Sequence, residues 1–191
     1  MTRIHTIALA GVAALALGLG AIGTAPSFAA EMTKMVGGAA MYPSKNIVQN
    51  AVNSKDHTTL VAAVKAAGLV PTLESSGPFT VFAPTNEAFK KLPEGTVATL
   101  LKPENKDKLT SVLTYHVIPG TLTTKDLRAK IKEGGGKAEI KTVEGKPLTF
   151  SEKEGHIWLT DEKGDRAEIT IANVMQSNGV IQVINTVMLP G

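Results

Sequence analysis

Leu60, Val61 and Val64 recur at helical spacing within KDHTTLVAAVKAAGLVPTL, residues 55–73, with polar residues between them. Asp56 is placed to cap this helix, and Gly68 to end it, because glycine readily adopts the left-handed conformation that closes a helix C-terminus. The period then changes. GPFTVFAP, 77–84, sets Phe, Thr and Val between Pro78 and Pro84, a composition that predicts a short buried strand. Thr85 can cap a short helix after it, with Glu87 in the first turn and Ala88 and Phe89 on the apolar side.

Two more helical segments are predicted between Pro93 and Val117, broken at Lys102–Pro103 because proline pushes the preceding residue out of the helical region. In the second, Leu109, Val112, Leu113 and His116 share one face, so LTYHVIPG, 113–120, reads as the last turn of a core-facing helix. Tyr115 points about 100° round the axis from His116. TLTTKDLRAKIKEGGG, 121–136, predicts a brief strand and then a helix capped at Thr124 with a glycine exit.

From Lys137 the pattern is that of strands: KAEIKTV, PLTFS, HIWLT, AEITIA and VIQVINTVML, separated by EGK, EKEG, DEKGD and NVMQSNG. DEKGD is expected to be a hairpin turn with Gly164 at positive φ. The final segment is apolar on both sides, Ile181 and Val183 against Val180 and Ile184, which predicts a central strand covered on both faces. Helices first and strands second predict an α+β domain.

Ahead of this domain, EMTKMVGGAAMYPSK, 31–45, carries paired glycines and no sustained period, so residues 30–45 are expected to form a flexible segment and the domain to occupy 46–191. Residues 1–29 read as a secretory signal peptide: Arg3 precedes an uncharged run from Ile7 to Ile22, and Ser27 and Ala29 supply the small residues of a cleavage site. The run is shorter than the roughly 20 residues needed to span a bilayer, so no stable anchor is expected after cleavage. This predicts a secreted protein, periplasmic or extracellular.

Composition narrows the chemistry. With Arg3 removed, 19 Lys and Arg face 17 Asp and Glu, and the whole chain has one Trp, two Tyr and five Phe. That is far from the basic stripe and stacking platform of a nucleic-acid binder. Cysteine is absent, which removes disulfides and thiol nucleophiles. There is no G-x-S-x-G turn to expose a serine. His57, His116 and His156 stand too far apart for a local metal motif. No catalytic residue, no metal site and no cofactor is therefore expected. The adjacent Tyr115 and His116 remain as candidate binding residues, with His116 expected to face the core and Tyr115 to have the better claim to a partner.

Three blocks, FTVFAPTNEAF at 79–89, LTYHVIPG at 113–120 and NGVIQVINTVMLP at 178–190, together resemble the fasciclin, or FAS1, domain family. The resemblance spans roughly residues 46–190 and implies a wedge of β-strands with helices packed around it. It implies a non-enzymatic adhesion module whose partner is a cell-surface or matrix protein or an envelope polysaccharide. It also places Tyr115 and His116 on the family's adhesion motif, and a single domain behind an Ala-rich leader is the form common among bacterial members.

The chain departs from the family at Gln182, where histidine is usual, and at Asn185, where aspartate is frequent. Asn173–Val174 stands where some animal members carry an Asp-Ile adhesion element, so binding of the integrin type is not expected from it. A second reading, a carrier of a small ligand or metal, is motivated by His57, His156 and five methionines beyond Met1. An enzyme is the weakest of the three readings.

Overall fold

The computed structural model describes residues 33–191, and the predicted signal peptide lies outside the described residues. Two short strands open the described chain: β1 (Lys34–Val36) and β2 (Ala39–Met41) pair antiparallel. The flexible segment expected at 30–45 thus contains a hairpin. Gly37 and Gly38 make its turn at positive φ rather than breaking the chain into a linker. Val36 and Met41 are 3% and 2% exposed, so the hairpin belongs to the core.

Helices follow: α1 (Ile47–Ala51), α2 (Thr58–Ala67) and α3 (Val70–Glu74). Leu60, Ala63, Val64 and Ala67 form the buried face of α2, and Gly68 ends it at φ 72° as its sequence position predicts. The expected cap shifts by one residue, since His57 rather than Asp56 occupies that position. Strand β3 (Phe79–Pro84) passes through Thr85, which accepts a hydrogen bond from the Ala88 amide, into α4 (Asn86–Lys90). After α5 (Thr96–Leu100) comes α6 (Lys106–Tyr115), whose Leu109, Val112 and Leu113 are buried.

Residues 117–119, expected within the helix end, leave it as strand β4 (Val117–Pro119), paired antiparallel with β3. Then α7 (Thr124–Glu133) begins after a capping box formed by Thr123 and Asp126, one residue before the predicted cap. The remaining strands are β5 (Lys137–Lys141), β6 (Pro147–Lys153), β7 (His156–Thr160), β8 (Arg166–Gln176) and β9 (Gly179–Ile184).

The seven-stranded sheet runs β4-β3-β9-β8-β7-β6-β5, with β3 and β9 parallel and the other neighbours antiparallel. Strand β9 is central and buried at every residue. Gly164 takes φ 90° in the β7–β8 turn, where Asp161 accepts hydrogen bonds from the amides of Lys163 and Asp165. One expected loop is absent: NVMQSNG is largely strand. β8 continues to Gln176 and absorbs its irregularity as register shifts between Ile169 and Val174, opposite Ile184, Val183 and Ile181 of β9.

The sheet curls until the β5–β6 turn reaches β4 at the other edge, where the Val143 amide donates to the Val117 carbonyl at 2.7 Å. Curling divides the apolar side chains into two cores. Val81, Ala83, Ile181 and Val183 pack with α1, α2, α3 and α6 on one side. Phe82, Phe150, Leu159 and Ile184 pack with Leu127 and Ile131 of α7 on the other. Among the described residues no helix is long and apolar enough to cross a membrane.

Candidate functional site

The Tyr-His pair sits where the two cores meet. Tyr115 is the last residue of α6 and His116 its C-cap, so the chain changes direction there before entering β4. His116 is 2% exposed, as the helical spacing predicts. Its Nδ1 lies 2.8 Å from the Val112 carbonyl, and its Nε2 lies 3.0 Å from the Met188 amide. A carbonyl only accepts and an amide N–H only donates, so the ring is neutral with its proton on Nδ1. Burial, only partly offset by the Val112 bond, pushes its pKa down to about 4. The backbone carbonyl of His116 accepts from the Phe82 amide at 2.9 Å.

Tyr115 turns the other way, into the core that holds Phe82 and Phe150, and is 0% exposed. Its hydroxyl donates to the Pro147 carbonyl at 2.8 Å, joining α6 to the start of β6 beside the point where the sheet edges approach. Burial, reinforced by the nearby Asp161 charge, pushes this phenol up to about 12. The expectation that Tyr115 meets a partner directly does not match this placement. Its direction off the α6 apolar face would leave it exposed on a flat sheet, but the curled sheet brings β6 over it.

The two sequence departures are also engaged in hydrogen bonds. Gln182, 0% exposed, accepts from the Asn173 amide at 2.8 Å and donates to the Leu122 carbonyl at 3.0 Å and Asn173 Oδ1 at 3.1 Å. Asn173 itself takes φ 55° in β8 and receives the Thr124 amide on Oδ1 at 2.8 Å. Asn185 accepts from the Glu168 amide at 2.9 Å. A neutral amide suits position 182 because the side chain there must both donate and accept within one network.

The fasciclin domain profile matches residues 55–190. The chain belongs to the fasciclin-domain family. Protein sll1483 of Synechocystis is 43% identical over 189 residues, 99% of this chain and 98% of that protein. The immunogenic protein MPB70 of Mycobacterium bovis is 32% identical, with 97% of each chain covered. A solved FAS1 domain pair from the insect cell adhesion molecule fasciclin I shares the fold, at TM-score 0.70 and 18% identity over 78% of this chain and 52% of that one.

Within this fasciclin domain the structure does not bring His57, His116 and His156 into one site. His156 is on β7, with Nδ1 2.6 Å from Glu168 Oε1 at the surface. His57 is buried near α2 and its Nδ1 lies 2.8 Å from Ser54 Oγ. Sequence reasoning missed this Ser–His pair, although a serine three residues before a histidine at a helix start was the available signal. It lacks the orientation of a catalytic pair. The hydroxyl meets Nδ1, no carboxylate holds Nε2, and Ser54 is 2% exposed. Among the described residues no three His, Cys, Asp or Glu side chains gather in a way that could hold a metal ion.

Proposed function

We propose that this protein is a secreted, non-enzymatic interaction module that attaches to a cell-surface or matrix protein or to an envelope polysaccharide. The observation that carries the reading is membership of the fasciclin-domain family across residues 55–190. The local chemistry supports it. His116 uses both ring nitrogens in structural bonds, the Tyr115 hydroxyl is committed to Pro147, and Asp161 accepts from three backbone amides, including Leu189 at 3.0 Å. Groups so engaged are not poised as a nucleophile or general base. Secretion rests on the leader pattern of residues 1–29.

Tyr115 and His116 then act on binding through the fold, by setting the course of the chain from α6 into β4, and partners meet the exposed faces. The test is retention of the purified protein on matrix protein, whole cells and isolated envelope polysaccharide. Binding to at least one is expected, and Tyr115→Phe is expected to keep it. Failure to bind any of the three would overturn the proposal. Loss of binding by a fully folded Tyr115→Phe protein would return the phenol to the contact surface.

A further inference from the structure

Strands β5 to β8 turn alternate residues inward: Leu148, Phe150, Ile157, Leu159 and Ala167 join Leu127 and Ile131 of α7 in one core. The residues between them form the opposite, outer face. Trp158, the single tryptophan of the chain, stands at its centre, half-buried, with Ser151 of β6 and Glu168 of β8 as its cross-strand neighbours. The next row across the same face is Glu139, Thr149, Thr160 and Arg166.

The exposed Arg166 guanidinium lies 5.1 Å from the centroid of the Trp158 ring, a cation–π contact that holds it in place. Among the described residues no carboxylate comes within ion-pair distance of Arg166, Lys137 or Lys141, and Lys153 reaches only the exposed Glu154 at 3.8 Å. Glu168, two residues from Arg166, is in contact with His156 Nδ1 instead, at 2.6 Å. The face therefore sets four cations, Lys137, Lys141, Lys153 and Arg166, against the carboxylates of Glu139 and Glu168. Beside the indole, the hydroxyls of Thr149, Ser151 and Thr160 make no hydrogen bond within the described chain.

We propose that this outer face binds an acidic polysaccharide, with Arg166 paired to a sugar carboxylate and the three hydroxyls facing hydroxyl groups of the chain. Charge complementarity selects an anionic partner, and a guanidinium already ordered by the indole meets a planar carboxylate through two parallel hydrogen bonds. A protein partner would want a desolvated apolar centre, whereas here one aromatic ring is surrounded by hydroxyls and charges. Arg166 on β8 and the lysines of β5 are three strand spacings apart, about 14 Å across the sheet, so the occupant is a polymer rather than a single sugar acid. The proposal rests on the attachment reading above and names its partner class.

The experiment titrates the purified protein with oligogalacturonate, neutral dextran and polyglutamate, following the fluorescence of Trp158, which has no other tryptophan to obscure it. Oligogalacturonate is expected to bind, more weakly as salt rises, and to move the emission; dextran and polyglutamate are not. Arg166→Gln should weaken the titration midpoint about ten-fold, the effect of one charge-assisted contact, while Lys108→Gln, which removes an exposed cation of α6, should leave it unchanged. Equal loss in both variants, or no loss in Arg166→Gln, would overturn the face. Equal binding of dextran would overturn the role of charge, and equal binding of polyglutamate the choice of a polysaccharide. Retention on cells or matrix protein without any response to oligogalacturonate would overturn this proposal and leave the attachment reading standing.

Discussion

His116 ties three parts of the domain together: its ring spans the last turn of α6 and Met188, and its carbonyl receives Phe82 of β3. Removing the ring leaves the Met188 amide unpaired in the core, so His116→Ala is expected to cost roughly 1–3 kcal/mol in urea unfolding. The same bonds make the protein acid-sensitive. The folded ring binds its proton near pH 4 and an unfolded one near 6.5. Between those values the unfolded state holds more protons, so stability present above about pH 6.5 is lost as pH falls toward 4, on the order of 3 kcal/mol. His57 is shifted down by burial and adds in the same direction. Unfolding curves between pH 7 and 4 check this, and His116→Gln, which cannot ionise, should flatten the slope. Tyr115→Phe loses only the hydroxyl to Pro147 and should cost about 1 kcal/mol, with the far-ultraviolet spectrum unchanged.

At the level of elements, β8 and α7 depend on each other. Asn173 holds φ 55° and presents its side chain to the Thr124 amide and hydroxyl, so the irregular part of the strand receives the N-terminus of the helix. A β-branched residue is disfavoured at that φ, and valine has no polar group to make these bonds. Asn173→Val should therefore destabilise by about 2–3 kcal/mol, seen as a fall of roughly 4–12 °C in Tm. Thr123→Ala removes half of the capping box and should cost about 1 kcal/mol in the same assay.

For the whole molecule, the hairpin at 34–41 is the part whose importance was least visible. It buries Val36 and Met41 against the helical core, and the Lys34 ammonium donates to the Ala172 carbonyl of β8. Two buried apolar side chains are worth about 1.5–3 kcal/mol each. A chain of residues 46–191 should thus be less stable than 31–191 by about 3–6 kcal/mol in chemical denaturation. Equal stability of the two would show that the hairpin adds nothing to the core.

Periodicity alone was enough to find α2, β3, α4, α6 and the strands from Lys137 onward, because each carries a regular apolar pattern, on one face in most and on both faces in β3 and β9. It also placed His116 inward, since that residue continues the Leu109, Val112 and Leu113 face. It failed where one segment serves two environments. The β8 irregularity hid a strand behind loop-like Asn and Ser residues, and β4 was concealed in the helix end. Tyr115 is the clearest case. Local spacing determined the direction of its side chain, but only the curling of the sheet, made by residues far away in sequence, decided that β6 would cover it. The pairing of Ser54 with His57 was legible as a spacing. The burial of that pair was decided instead by how helices and strands distant in sequence pack around it, which no single segment encodes.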